Sequence, residues 1–306
     1  MRAFGMIAIY ALLATSASAQ TIGLSLREVD AFLSPLAKGV TTSAKAAGFD
    51  TQQTDAKADA GTQIADVKGL IASGVAGLVV VSTNKTAEVE IAALAKAANL
   101  PLVFVNRQPA SELLVGRTSY VGSDEKVAAE LQTREVCRQL QGKGDVAILM
   151  GELTHPAAKA RTLEVHHVLG TPECSGLRIL EEQSANWTRE QASDVTRVWL
   201  DGGLHPQAVI ANNDEMALGA VEAIKATGAK GILVAGVDAT DAALAAMKAG
   251  DLSVTVLQDA SGQGSLAVET VARMLRGEAV EPVQYVPFRL VLPSDVAGLV
   301  AQRAQN

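Results

Sequence analysis

What most constrains this chain is a pattern repeated along its whole length: a short apolar run rich in Val, Ile and Leu, a polar or Gly-containing turn, then a helical stretch rich in Ala, Lys and Glu. The runs "LVFV" (102–105), "VAILM" (146–150) and "AVIA" (208–211) are almost continuously apolar and do not alternate. A strand that buries both faces reads this way, so the pattern predicts parallel sheets covered on each side by helices. Strands are expected at 22–26, 75–81, 102–105, 120–121, 146–150, 177–181, 208–211, 232–237 and 254–257. Helices are expected at 31–47, 64–73, 86–98, 126–140, 157–169, 189–200, 215–226 and 239–249. About a dozen alternations exceed what one doubly wound sheet uses, which favours an α/β fold of two Rossmann-like lobes with parallel sheets. A (βα)₈ barrel has a comparable number of units and stays open as the rival. No Pro- or Ser-rich linker divides the chain, so the lobes should be joined by a three-segment hinge near Gly122, Asp259 and Pro287. That gives one lobe from residues 20–122 plus 260–287 and another from 123–259 plus 288–306.

Residues 1–19 read as a secretory signal: Arg2, an apolar stretch over 6–14, and Ala17-Ser18-Ala19 before Gln20. The stretch is too short to span a bilayer. Export to the periplasm of a Gram-negative cell is the expectation, leaving roughly 287 residues, enough for two ordinary lobes. The net charge of −7, or −8 once Arg2 is removed, excludes nucleic acid as the expected partner. Cys137 and Cys174 are the only thiols. An oxidising compartment permits a disulfide between them, and two buried free thiols are the alternative. Without C-x-x-C spacing they make no metal site.

In open α/β sheets ligands bind beyond the carboxyl ends of the strands. Seven strand ends here deliver long polar or aromatic side chains: Asp30 and Phe32, Asn106 and Arg107, His155 and Arg161, Trp187, Asn213 with Asp214, Asp238, and Gln258 with Asp259. Carboxylates, amides and a guanidinium together match hydroxyl groups, which donate and accept at once, while aromatic faces cover ring C–H groups. A small polyhydroxylated ring fits that mixture. Each residue also has a plainer use. Asp30, Asn213, Asp214 and Asp238 would serve as helix caps, Phe32 and Trp187 as core, His155 as a turn and Arg161 as a solvated helix residue. Their shared position is what argues for a site.

Enzymatic chemistry is not expected. Asp30, Asp238 and His155 could converge, yet the chain has no G-x-S-x-G, no G-x-x-x-x-G-K-[ST] and no H-E-x-x-H. The four histidines lack a metal-binding arrangement. No cofactor is expected.

The blocks "DAF", "VFVNRQP", "YVGSDEK", "HPAAKAR", "ANW", "VIANNDEMALGAVEAIKATG" and "GVDATDAALAAMKAGDLSVTVLQDA" resemble the type I periplasmic sugar-binding proteins of ABC importers, notably the glucose/galactose-binding branch. The resemblance implies two lobes that close on one ligand, a monomer, and delivery to a membrane permease. It also implies ligand contacts at Asp30, Phe32, Asn106, His155, Arg161, Trp187, Asn213, Asp238 and Gln258, with Phe32 and Trp187 sandwiching the ring. Two residues after His155 the hexose-binding branch has an Asp that holds the anomeric hydroxyl, whereas this chain has Ala157. Its last contact strand has Gln258 in place of Asn, and "QGKGD" is too short for that branch's calcium loop, so no calcium is expected. "TREVCRQLQGKG", "LMGEL" and "EEQSANWTR" are closer to binding proteins for inositol and for rhizopines, which are inosamine derivatives. A cyclitol has no anomeric centre and does not need the missing Asp. The implied ligand is therefore an inositol-type cyclic polyol, with a hexose or pentose as the alternative and presentation to a chemoreceptor compatible with transport. A DNA-binding regulator of the same fold would carry a helix-turn-helix where the signal segment stands.

Overall fold

A computed structural model describes residues 19 to 304; apart from Ala19, the signal segment lies outside the described residues. In chain order the first sheet is laid down by β1 (Thr21–Leu26), β2 (Asp50–Asp55), β3 (Gly77–Val80), β4 (Leu102–Val105) and β5 (Thr118–Gly122), with helices α1 (Leu33–Ala46), α2 (Ala60–Ala72) and α3 (Lys85–Ala97) between them. The chain then builds a second sheet from β6 (Lys143–Met150), β7 (Gly176–Ser184), β8 (Ala208–Ala211), β9 (Leu233–Ala235) and β10 (Thr255–Leu257). Its helices are α4 (Glu125–Gln139), α5 (Pro156–Leu169), α6 (Arg189–Asp201), α7 (Asp214–Thr227) and α8 (Asp241–Ala249). It returns through α9 (Ala260–Leu275) and β11 (Val283–Tyr285), and finishes with β12 (Arg289–Val291) and α10 (Val296–Arg303).

The first sheet has the order β11-β5-β4-β3-β1-β2, with every pairing parallel. The second runs β7-β6-β8-β9, also parallel. A parallel bridge from Ala235 to Val254 continues it towards β10, and β10 pairs antiparallel with β12. Two open sheets replace the barrel alternative. In each, the strand order reverses beside the first strand, between β1 and β3 and between β6 and β8, which is where doubly wound sheets open a crevice. Both faces of both sheets are packed. Leu24, Val79 and Val103 lie on one side of the first sheet, with Leu78, Val80 and Phe104 on the other. In the second, Leu149 and Val209 oppose Ile148 and Ile210. This double burial is why the strands read as unbroken apolar runs.

Helices α1 and α9 cross backbone to backbone. A Cβ on Gly39 would sit 2.3 Å from the Ser261 carbonyl oxygen, and one on Gly264 would sit 2.3 Å from that of Leu36. Beside this contact the Ser43 hydroxyl donates to the Ser265 hydroxyl at 2.8 Å. The close crossing anchors α9 to the first sheet although its sequence follows the second. The chain passes between the sheets three times: after Gly122, between Leu257 and Ala260, and between Tyr285 and Arg289. Hydrogen bonds tie these passages together. Gln263 donates to Ser123 at 3.0 Å, Ser123 to the Val286 carbonyl at 2.6 Å, and the Val286 N–H to the Gly122 carbonyl at 2.7 Å.

Cys137 at the end of α4 and Cys174 before β7 are joined in a disulfide, with Cα atoms 5.7 Å apart. It pins α4 to the edge of the second sheet and lies away from the strand ends that face the first. Replacing both cysteines by serine should lower unfolding stability by about 2–4 kcal/mol, the usual effect of such a cross-link. Ligand affinity should stay within about twofold of wild type. Denaturant unfolding and calorimetric titration of the double variant check both halves.

Candidate ligand-binding site

The carboxyl ends of both sheets' strands converge on one cavity of about 90 Å³. A cavity needs about 10–15 Å³ to hold one water, so this one has room for several, the scale of a small hydroxylated molecule. Of the twelve strand-end residues picked out from the sequence, nine line it: Asp30, Phe32 and Asn106 from the first sheet's side, and His155, Arg161, Trp187, Asn213, Asp238 and Gln258 from the second.

Local backbone geometry aims several of them. Asn106, Trp187 and Asp238 have φ of 66°, 66° and 124°. Positive φ is rare for non-glycine residues and costs of order 1–3 kcal/mol each, so the surroundings must enforce it. Tyr120, fully buried, donates its hydroxyl to the Asn106 carbonyl at 2.8 Å and holds that turn. Trp187 lies flat over Gly151, where a Cβ would fall 2.3 Å from the indole. Gly151 in turn donates its N–H to Asn212 Oδ1 at 3.1 Å.

Arg161 is the centre of the polar wall, with its side chain only 4% exposed. Its Nε donates to Glu125 Oε2 at 2.6 Å, Nη1 to the Asn212 carbonyl at 2.6 Å and Nη2 to Gln258 Oε1 at 3.1 Å. The guanidinium also stands over the rings of Trp187 and Phe288, 5.9 and 5.8 Å from their centroids, a cation–π arrangement. Burial pushes the Asp238 carboxyl well above its usual range; Arg161 opposes that, while Asp214, Glu125 and Asp30 add to it. Burial likewise raises Glu125, against the pull of Arg161. Burial and then the charges of Arg107, Arg27 and Arg161 drive His155 well down, so its imidazole is neutral. Its Nδ1 accepts the Ala157 N–H at 3.1 Å, which leaves Nε2 as the protonated nitrogen. Trp187 Nε1 and Gln258 Nε2 are buried donors without a protein acceptor.

Some expectations need correction. Arg107 does not line the cavity. It is buried beside Glu88, with Nε 3.4 Å from Oε1, because β4 ends at Val105 and the chain turns between Asn106 and Arg107. Asn213 both lines the cavity and caps α7 by accepting the Met216 N–H, so the two readings of it coincide. Asp214 is not the cap. Fully buried, it accepts from the Thr240 N–H at 2.7 Å and the Thr255 hydroxyl at 2.7 Å, and burial raises its pKa to about 7. Asp30 also plays both parts, since its Oδ1 accepts the Phe32 and Leu33 N–H groups at the start of α1. Asp238 caps nothing; α8 is capped by Thr240. Glu125, Arg27 and Glu28 line the cavity but were not singled out. Glu28 and Arg27 stand in the same "REVD" stretch as Asp30, a signal that was available. Glu125 looks like an ordinary first-turn helix acid, and nothing in the sequence distinguishes it from one.

A model described as a periplasmic binding protein domain matches residues 22–279. A protein of Rhizobium meliloti named for rhizopine binding is 43% identical over 296 residues, covering 95% of this chain and 96% of that one. The chain belongs to the periplasmic binding protein family. The ribose import binding protein of Bacillus subtilis is 33% identical over 88% of this chain and 86% of its own. Among solved structures, an ABC transporter solute binding protein from Bacillus halodurans with bound myo-inositol superposes with a TM-score of 0.86 at 34% identity, covering 94% of this chain and 99% of that one. This periplasmic binding protein is accordingly a sugar-class solute-binding component of an ABC importer and not an enzyme.

In this periplasmic binding protein Gly151 supports the indole of Trp187, so Gly151→Ala should push the ring from its seat. Ligand affinity should fall at least tenfold while the unfolding transition stays cooperative. Intrinsic fluorescence checks the displacement, because Trp199, the only other tryptophan, is in the core of the second sheet and should not respond.

Proposed function

We propose that the protein is exported through residues 1–19 and captures a small cyclic polyol, of the myo-inositol or inosamine type, in the periplasm for delivery to a membrane permease. Residues 20–122 with 260–287 form one lobe and 123–259 with 288–306 the other. The three passages tied by Ser123, Gln263 and Val286 act as the hinge. Ligand that touches both walls favours the closed form by its differential affinity for it.

The observation that carries the choice of ring is Ala157. It is buried and lines the cavity next to His155, so that wall presents a methyl group where the hexose-binding branch presents a carboxylate. A sugar's anomeric hydroxyl would lose a charged hydrogen bond there, worth roughly 1.5–3 kcal/mol. A cyclitol has no such group to lose. The relatives named for rhizopine binding and holding myo-inositol support the same reading.

A thermal-shift series against myo-inositol, scyllo-inositol, scyllo-inosamine, glucose, galactose, ribose and xylitol tests it. Ligand at a thousandfold over its Kd adds about 4 kcal/mol, a shift of several degrees. The shift is expected with the cyclitols and not with the sugars, and Ala157→Asp should raise glucose or galactose binding about tenfold or more. A shift with glucose or galactose in the unmodified protein contradicts the cyclitol reading.

A further inference from the structure

Six charged side chains line the cavity: Arg27 and Arg161 against Glu28, Asp30, Glu125 and Asp238. The cations are already committed. Arg27 pairs with Glu28 at 2.5 Å, and Arg161 pairs with Glu125 at 2.6 Å. Asp238 is left 4.0 Å from Arg161 Nη1, beyond hydrogen-bonding distance, and among the described residues its carboxylate accepts no hydrogen bond from the protein. It is only 7% exposed and faces the cavity. Across the cavity Asp30 uses Oδ1 on backbone N–H groups and keeps Oδ2 free. The cation beside Asp238 is Arg161, and its short contact, at 2.6 Å, goes to Glu125, itself 12% exposed, and not to Asp238.

We propose that Glu125 sets the charge preference of the site: by taking the hydrogen bond of Arg161 it leaves Asp238, which that guanidinium compensates only from 4.0 Å, and the free Oδ2 of Asp30 opposite as acceptors that select a ring bearing a protonated amine over the same ring bearing only hydroxyls. This rests on the cyclitol reading and narrows it. A buried carboxylate that its neighbouring cation does not hydrogen-bond is costly, and its protonation is the protein's own remedy; burial raising the Asp238 carboxyl against the pull of Arg161 is consistent with that. An ammonium donates two or three charge-assisted hydrogen bonds and removes the penalty, whereas a hydroxyl supplies one neutral donor. Glu125 touches Arg161, so it acts through the position and charge of that group.

The test uses scyllo-inositol and scyllo-inosamine, which differ at one ring substituent, titrated calorimetrically into the wild-type protein and into Glu125→Gln. The wild type should bind the amine at least tenfold more tightly. In E125Q, with Arg161 released towards Asp238, the ratio should fall to about one, and a merely structural role for Glu125 would weaken both ligands in proportion. If the wild type binds the two equally or prefers scyllo-inositol, the charge selection is wrong and the cyclitol reading stands; this arm needs no variant to fold. A preference for the amine that persists in E125Q removes the role given to Glu125. If neither ring binds, the cyclitol reading fails and this inference fails with it.

Discussion

A guanidinium held almost entirely out of water must be neutralised and fully hydrogen-bonded, or the fold loses several kcal/mol. Arg161 is neutralised by Glu125 and donates from each of its three nitrogens, drawing on five separate parts of the chain: Glu125 at the start of α4, the Asn212 carbonyl after β8, Gln258 after β10, and the faces of Trp187 and Phe288. Each of those groups is thereby fixed in turn. Asn212 also accepts from Gly151 and Thr162, and Gly151 seats Trp187, so one buried cation organises the whole second wall. The first wall has a different anchor. The Tyr120 hydroxyl holds Asn106 in a left-handed turn, and the Asp30 carboxylate fixes the start of α1. One wall is rigid through charge, the other through backbone geometry.

The two walls belong to sheets with matching strand order, and the chain that joins them is held by few, mostly polar contacts around Ser123 and Gln263. Each sheet carries its own core on both faces, while the space between their strand ends is lined by polar and aromatic groups with unsatisfied donors. Each half thus buries a core of its own, while Trp187 Nε1 and Gln258 Nε2 beside the gap have no protein acceptor. The close backbone crossing of α1 and α9 belongs to the same design, since it binds the returning segment tightly to the first sheet.

Much of this was legible in the sequence because double burial leaves so plain a trace. The expected strand at 208–211 matches β8 and that at 102–105 matches β4, with Asn213 and Asn106 after them found at the cavity. β2 was missed because "DTQQTD" is polar: it is the edge of the first sheet and half in solvent, so apolar periodicity cannot reveal it. β11 and β12 are three residues each, and pairing with distant strands, not local sequence, makes them strands. At the site, the sequence placed residues at strand ends but could not tell which way a turn would throw adjacent side chains. Asn106 faces the cavity and Arg107 beside it does not. Glu125 eluded the reading for a related reason, since its partner Arg161 is 36 residues away and only the packing of α4 against α5 brings them together.

One small ring should bridge the two walls through the residues brought together around Arg161. A crystal structure of the mature protein grown with scyllo-inosamine or myo-inositol tests it most directly. One ring is expected in the cavity, stacked on Trp187 and Phe32, with hydrogen bonds to Asp238 and Arg161 on one side and to Asp30 or Asn106 on the other. A ring bound outside the cavity, or one that touches a single wall, would contradict it.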